Sequence, residues 1–195
     1  MRGLPEADCG RFRRGSGTAL PGVGTLGVIA WLLLALVPVA GCRDPGGLPD
    51  EEKKVRIDEM YEGYKKRFPA APEMTVETLR ARLSGPEPPV VVDVREDEER
   101  AVSTIPGAIS RQEFEERRET LAGREVVTYC TIGYRSGLYT QELVEEGWKA
   151  FNLRGSIVSW THAGGQLVKD GAPTRRVHVY GRKWNLVADG YEAVW

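Results

Sequence analysis

Two runs rich in β-branched residues constrain this chain most. Residues 89–94 read Pro-Val-Val-Val-Asp-Val, and residues 125–130 read Glu-Val-Val-Thr-Tyr-Cys. Such short, nearly unbroken apolar runs predict strands buried on both faces. A third strand is expected at 149–153, and a short segment ends at Ile109 after the Pro106-Gly107 turn. Helical stretches fall between them. Residues 75–83 place Val76, Leu79 and Leu83 on one side; 112–121, 135–146 (ended by Gly147) and 156–162 follow. Residues 96–102 are acidic and predict a short helix whose carboxylates suit its N-terminal dipole and face water. Strands alternating with helices predict an α/β fold with a central parallel sheet flanked by helices. Chemistry in such folds gathers at the C-terminal ends of strands. Cys130 ends a strand and precedes a helix.

The loop Cys130-Thr131-Ile132-Gly133-Tyr134-Arg135 has the composition of a reactive site. A strand–loop–helix connection aims successive backbone N–H groups into one concavity, and the helix N-terminus adds positive potential. A thiol placed there is expected to ionise more readily. Gly133 permits the turn and a close approach. Arg135 supplies a permanent cation with planar donors for an oxyanion. Cys130 alone would read as a packed, inert thiol; the glycine and arginine beside it favour chemistry.

The N-terminal segment reads as an address. Arg2, Arg11, Arg13 and Arg14 precede an apolar run at 26–39 (LGVIAWLLLALVPV). A signal-peptide core holds roughly 7–15 apolar residues, whereas a membrane span needs about 20. Val39-Ala40-Gly41-Cys42 resembles the lipobox of bacterial lipoproteins. That resemblance implies cleavage after residue 41, lipid on Cys42 and a domain held at the cell envelope on the non-cytoplasmic side. The surroundings of Arg13-Arg14 do not fit a twin-arginine signal. Gly22-Val23-Gly24-Thr25-Leu26-Gly27 matches G-x-G-x-x-G but lies inside this address, without the strand a dinucleotide site requires. Residues 42–50, rich in Gly and Pro, predict a flexible tether. Residues 51–73 form an N-terminal helical segment. Its helix runs over 50–68, with Val55, Ile57, Met60, Tyr61, Tyr64 and Phe68 near one face, and is stopped by Pro69.

Two motifs carry a family resemblance. Residues 93–109 combine Asp93-Val94-Arg95, an acidic helix start and Ile105-Pro106-Gly107-Ala108-Ile109; the loop that follows is C-x-x-G-x-R. In order and spacing they resemble the rhodanese-like domain, over residues 74–163. The resemblance implies a three-layer fold with a central parallel sheet. It also implies a sulfurtransferase in which Cys130 receives a sulfane sulfur and holds it as a persulfide. Backbone amides of Thr131, Ile132, Gly133, Tyr134 and Arg135 would cradle that sulfur, and Arg135 would orient an anionic donor such as thiosulfate. Asp93 and Arg95 match the family's D-x-R and are expected as structural support. Ser103-Thr104 stand where the family usually has Gly-His, which alters hydrogen bonding at the edge of the site.

Several other readings are weighed against this one. A non-catalytic module binding a persulfide, an oxyanion or a partner protein would not need both Cys130 and Arg135. A cysteine phosphatase would place five residues between cysteine and arginine, and this loop has four. A cysteine hydrolase would need His162 or His178 within reach of the thiol. Two histidines and one free thiol are too few for a structural zinc site, and no cofactor or metal is expected. Once Cys9 leaves with the signal and Cys42 is lipidated, Cys130 is the remaining thiol. The persulfide is therefore expected to pass to an external thiol. Net charge is −1, which argues against a nucleic-acid partner. Residues 164–195 are expected to wrap the domain, with a short strand around Val177 and Val179 and with Trp184 and Trp195 as packing anchors.

Overall fold

The computed structural model describes residues 44–195; the lipobox and everything before it, including Cys9 and Cys42, lie outside the described residues. Five parallel strands form the central sheet: β1 (Glu73–Met74), β2 (Val90–Asp93), β3 (Ile109–Ser110), β4 (Val126–Tyr129) and β5 (Ala150–Leu153), in the order β1-β5-β4-β2-β3. The β-branched runs occupy the two inner positions β2 and β4, in register from Val90 opposite Val126 to Asp93 opposite Tyr129. All four residues of β4 are buried, as expected for a strand covered on both faces.

Helices cover both faces. On one side lie α2 (Val76–Leu83), capped by the Thr75 hydroxyl, and α7 (Ser156–His162). Val76, Leu79, Ile157 and Val158 join Val91, Val127 and Leu153 in the main core. On the other side α4 (Arg111–Glu116), α5 (Arg118–Leu121) and α6 (Tyr134–Glu145) bring Phe114, Leu121, Tyr139 and Leu143 against Val92 and Val126. The short α3 (Asp97–Arg100) follows β2 and carries a reciprocal capping box between Glu96 and Glu99.

The N-terminal helix α1 runs over Asp50–Lys65, ending before Phe68, which is fully buried in the following turn. Ile57 and Tyr61 face the core as the spacing predicts, but Val55 is exposed. Lys53 is buried instead, its ammonium 3.1 Å from Asp50 and 2.7 Å from Asp189. Residues expected to be a flexible tether are ordered from Asp44 onward. Pro45–Gly47 form a 3₁₀ turn, and the Asp44 carboxylate accepts bonds from the Gly46 amide and the Asn185 side chain. A side-chain cap and a long-range partner outweigh the Gly/Pro composition there.

Residues beyond α7 pack onto the domain as two small sheets. Strands β6 (Leu167–Lys169) and β7 (Ala172–Thr174) form an antiparallel hairpin; β8 (Arg176–His178) and β9 (Glu192–Val194) pair in parallel. Val168 exchanges backbone hydrogen bonds with Thr104 at 2.9 and 3.0 Å. Leu167, Val177, Val179, Leu186 and Val187 enter the main core. Trp184 packs against it partly buried, whereas Trp195, expected as an anchor, is 54% exposed. Its ring lies instead 5.8 Å from the Arg182 guanidinium.

Candidate active site

Strand β4 delivers Cys130 to the C-terminal edge of the sheet, where its amide donates to the Ser156 hydroxyl at 3.1 Å. The chain then turns through Gly133, at φ 107°, into α6. A side chain there would be strained by that φ and would strike the Tyr61 ring, 2.6 Å from an added Cβ. Glycine therefore lets the loop close over the thiol. The Gly133 amide donates to Cys130 Sγ at 3.2 Å, and the Ser136 hydroxyl lies 3.5 Å from the same sulfur.

Beneath the thiol is a polar network that no motif singles out. Ser136 Oγ lies 2.7 Å from Asn152 Oδ1 and 3.4 Å from Ser156 Oγ. Asn152 Nδ2 donates to the Gly133 carbonyl at 2.9 Å and to the Tyr61 hydroxyl at 3.1 Å. The single Ser136 hydroxyl proton serves either the sulfur or Asn152 at one time. Asparagine is disfavoured in strands, so Asn152 inside the β5 run was the available signal.

Arg135 leaves the first turn of α6 and meets Glu99 of α3. Nη1 and Nη2 bind the two carboxylate oxygens at 2.6 and 2.8 Å, a bidentate pair. The Thr131 hydroxyl donates to Glu99 at 3.2 Å, and the Glu96 amide donates to it at 3.1 Å. Glu99 is only 3% exposed, so the acidic run is not a wholly solvated helix start. One of its carboxylates points inward because the loop places an arginine opposite it.

Burial pushes the Cys130 thiol up, but the Arg135 charge, the Ser136 hydroxyl and amide, and the Gly133 amide outweigh burial and leave it lowered. Burial likewise raises Glu99, yet the Arg135 pair, the Glu96 amide and the Arg95 charge hold it below the ordinary carboxylate range. The sulfur is 2% exposed with its residue, so its ionised form depends on these fixed groups rather than on water.

The other sequence-predicted residues divide by role. Ile132 is a core residue, and the Tyr134 ring packs edge-on to Tyr64 at 5.2 Å; their side chains support the loop. Asp93 and Arg95 form a buried pair at 2.7 Å, and the Tyr129 hydroxyl donates to Asp93 at 2.6 Å. Arg95 also donates to the Ser103 carbonyl at 2.6 Å, and the Ile105 amide donates to Tyr129. This cluster fixes residues 93–105 to the residue just before Cys130, without a bond to the sulfur itself. Ser103 is fully buried, and Thr104 carries the bridge to Val168.

The extension reaches the site. Tyr180, at φ 66°, sets its ring 5.3 Å from the Arg135 guanidinium and edge-on to Trp184. His178 Nδ1 stands 3.9 Å from Glu99 and accepts from the Tyr180 amide. His162 instead bonds the Leu186 carbonyl. The hydrogen-bond partners of the sulfur are Gly133 and Ser136, not a histidine. Among the described residues no cluster of three or more His, Cys, Asp or Glu side chains is arranged to hold a metal ion.

A family model for the rhodanese-like domain matches residues 75–163. The Bacillus subtilis protein YtwF, which bears a sulfurtransferase name, is 34% identical over 91 residues, spanning 45% of this chain and 88% of that protein. The chain belongs to the rhodanese-like family. A sulfurtransferase of Allochromatium vinosum is 33% identical over 100 residues, 49% of this chain and 94% of its own length. Among solved structures, the thiosulfate sulfurtransferase of Pseudomonas aeruginosa is 29% identical with a TM-score of 0.49, covering 59% of this chain and 23% of that one. The match to the rhodanese-like model ends at residue 163, so Tyr180 and His178 are brought to the loop from outside the matched span.

Proposed function

We propose that this rhodanese-like protein is a sulfurtransferase that moves a sulfane sulfur from thiosulfate or a persulfide donor to a thiol or cyanide through a Cys130 persulfide. The observation that carries this reading is the convergence of the Gly133 amide, the Ser136 hydroxyl and the Arg135 charge on one sulfur. In the first half-reaction the Cys130 thiolate attacks the outer sulfur of the donor, whose sulfur–sulfur bond breaks and whose leaving group departs with the electron pair. In the second, the acceptor attacks the outer sulfur of the persulfide and Cys130 leaves as thiolate. Amides and the hydroxyl that stabilise the thiolate also stabilise it as a leaving group, so they assist both directions.

Cys130 is the free cysteine among the described residues, which makes an external thiol the natural acceptor. The lipobox motif supports a lipid anchor at Cys42 and an envelope location for this activity. Incubation with donor should add one sulfur to Cys130 by mass spectrometry, and thiocyanate should form when cyanide is supplied. Cys130→Ser should abolish both. Turnover by that variant equal to wild type, or sulfur added elsewhere, would overturn the reading.

A further inference from the structure

Arg135 is the cation of the loop, yet its donors are turned inward. Nη1 and Nη2 are both bound to Glu99, and Nη2 also contacts Thr131 Oγ1 at 3.3 Å. One guanidinium face is covered by Tyr180, and the side chain is 22% exposed. Glu99 is held in turn by the Glu96 amide and the Thr131 hydroxyl. The nearby His178 ring accepts the Tyr180 amide at Nδ1. On the same strap Arg182 and Lys183 lie over the rings of Trp195 and Trp184. With the Cys130 thiolate formed, the group Arg135, Glu99 and Cys130 presents one net negative charge to an incoming donor.

We propose that Glu99 is a specificity-determining residue: by neutralising Arg135 it selects a persulfide donor, carrying at most one negative charge at the reacting end, over the thiosulfate dianion. This rests on Cys130 being the sulfur-carrying nucleophile. With a persulfide, Cys130 Sγ⁻ attacks the terminal sulfur of R–S–S–H. The donor's S–S bond breaks, its electron pair leaves as R–S⁻, and the hydrogen stays on the transferred sulfur as Cys130–S–S–H. With thiosulfate the same attack must bring two charges to the thiolate and expel sulfite beside an arginine already paired. Like charges oppose that approach from solvent, and salt screens the repulsion along it.

The test compares kcat/KM of the full-length chain for thiosulfate and for N-acetylcysteamine persulfide, read as sulfur added to Cys130. Glu99→Gln should shift the ratio toward thiosulfate about tenfold, equivalent to ~1.4 kcal/mol, mainly through a lower KM for thiosulfate. Glu99→Asp should stay near the wild-type ratio. A Glu99→Gln ratio equal to wild type, with Cys130 still sulfurated, overturns the role of Glu99 alone. Absence of sulfur on Cys130 from either donor, in wild type, overturns the underlying sulfur-transfer reading instead. The wild-type chain gives a second readout should Glu99→Gln fail to fold. Its kcat/KM for thiosulfate should rise with ionic strength as repulsion is screened; a flat or falling dependence overturns the proposal.

Discussion

Two arginine–carboxylate pairs flank the same strand end, and they do different things. Asp93 and Arg95 are two residues apart, wholly enclosed, and bonded onward to Tyr129 and Ser103. Glu99 and Arg135 are 36 residues apart, with the arginine reaching the surface under Tyr180. The first pair braces backbone against backbone and does not bond the sulfur. The second sets the electrostatic environment of the thiol while joining α3 to α6. Similar bidentate chemistry thus serves as a strut in one place and as a charge regulator in the other. Burial and the identity of the neighbour decide which.

The largest expected effect tests the strut. Arg95→Met leaves the Asp93 carboxylate enclosed without its cation, and should cost about 3–5 kcal/mol in denaturant unfolding. A cost near that of a surface pair would erase the distinction between the two sites. Arg135→Gln should cost less, about 2 kcal/mol, since its pair is partly wet. It should also raise the thiolate midpoint followed by ultraviolet absorbance, because the cation that lowers it is gone. Sulfur uptake below the ordinary thiol range should then fall and recover as pH rises; Arg95→Met should not move that midpoint by a comparable amount.

A third, smaller effect is the acid dependence of stability. Glu99 is held low in the folded state, so its contribution is present above the ordinary carboxylate value and is lost as pH falls through the folded one. Glu99→Gln should therefore flatten the acid limb of the stability–pH curve. An unchanged limb would mean the pair is no better than its solvated parts. The smallest effect concerns Tyr180, whose contact with the guanidinium should contribute about 0.5–1 kcal/mol. A double-mutant cycle between Tyr180→Ala and Arg135→Gln measures it, and zero coupling would remove the strap from the comparison.

The strut was legible in the sequence and the regulator was only half so. Asp93-x-Arg95 is local, and the β-branched runs at 90–92 and 126–128 dictate buried neighbouring strands. The same runs put Cys130 at a strand end. Arg135 was visible as a cation, but nothing local reports that Glu99 turns inward while Glu98 stays exposed. That outcome depends on an arginine 36 positions later. Ser156 was silent and Asn152 showed only as an odd residue in a strand, since their role exists only once β4, β5 and α7 are side by side. The extension followed the Val177/Val179 alternation into the core. Its reach over Arg135 depends on the left-handed turn at Tyr180, which no periodicity announces.

The enclosed Lys53 ammonium ties together segments far apart in sequence. Its nearer carboxylate partner, Asp189, lies 136 residues downstream. An ammonium removed from water is costly, and Asp189 completes the pairing that Asp50 begins within α1. Val177, Val179, Leu186 and Val187 complete the same core. The thiol loop lies between these segments in sequence, so the body that holds it is closed from both sides of the loop.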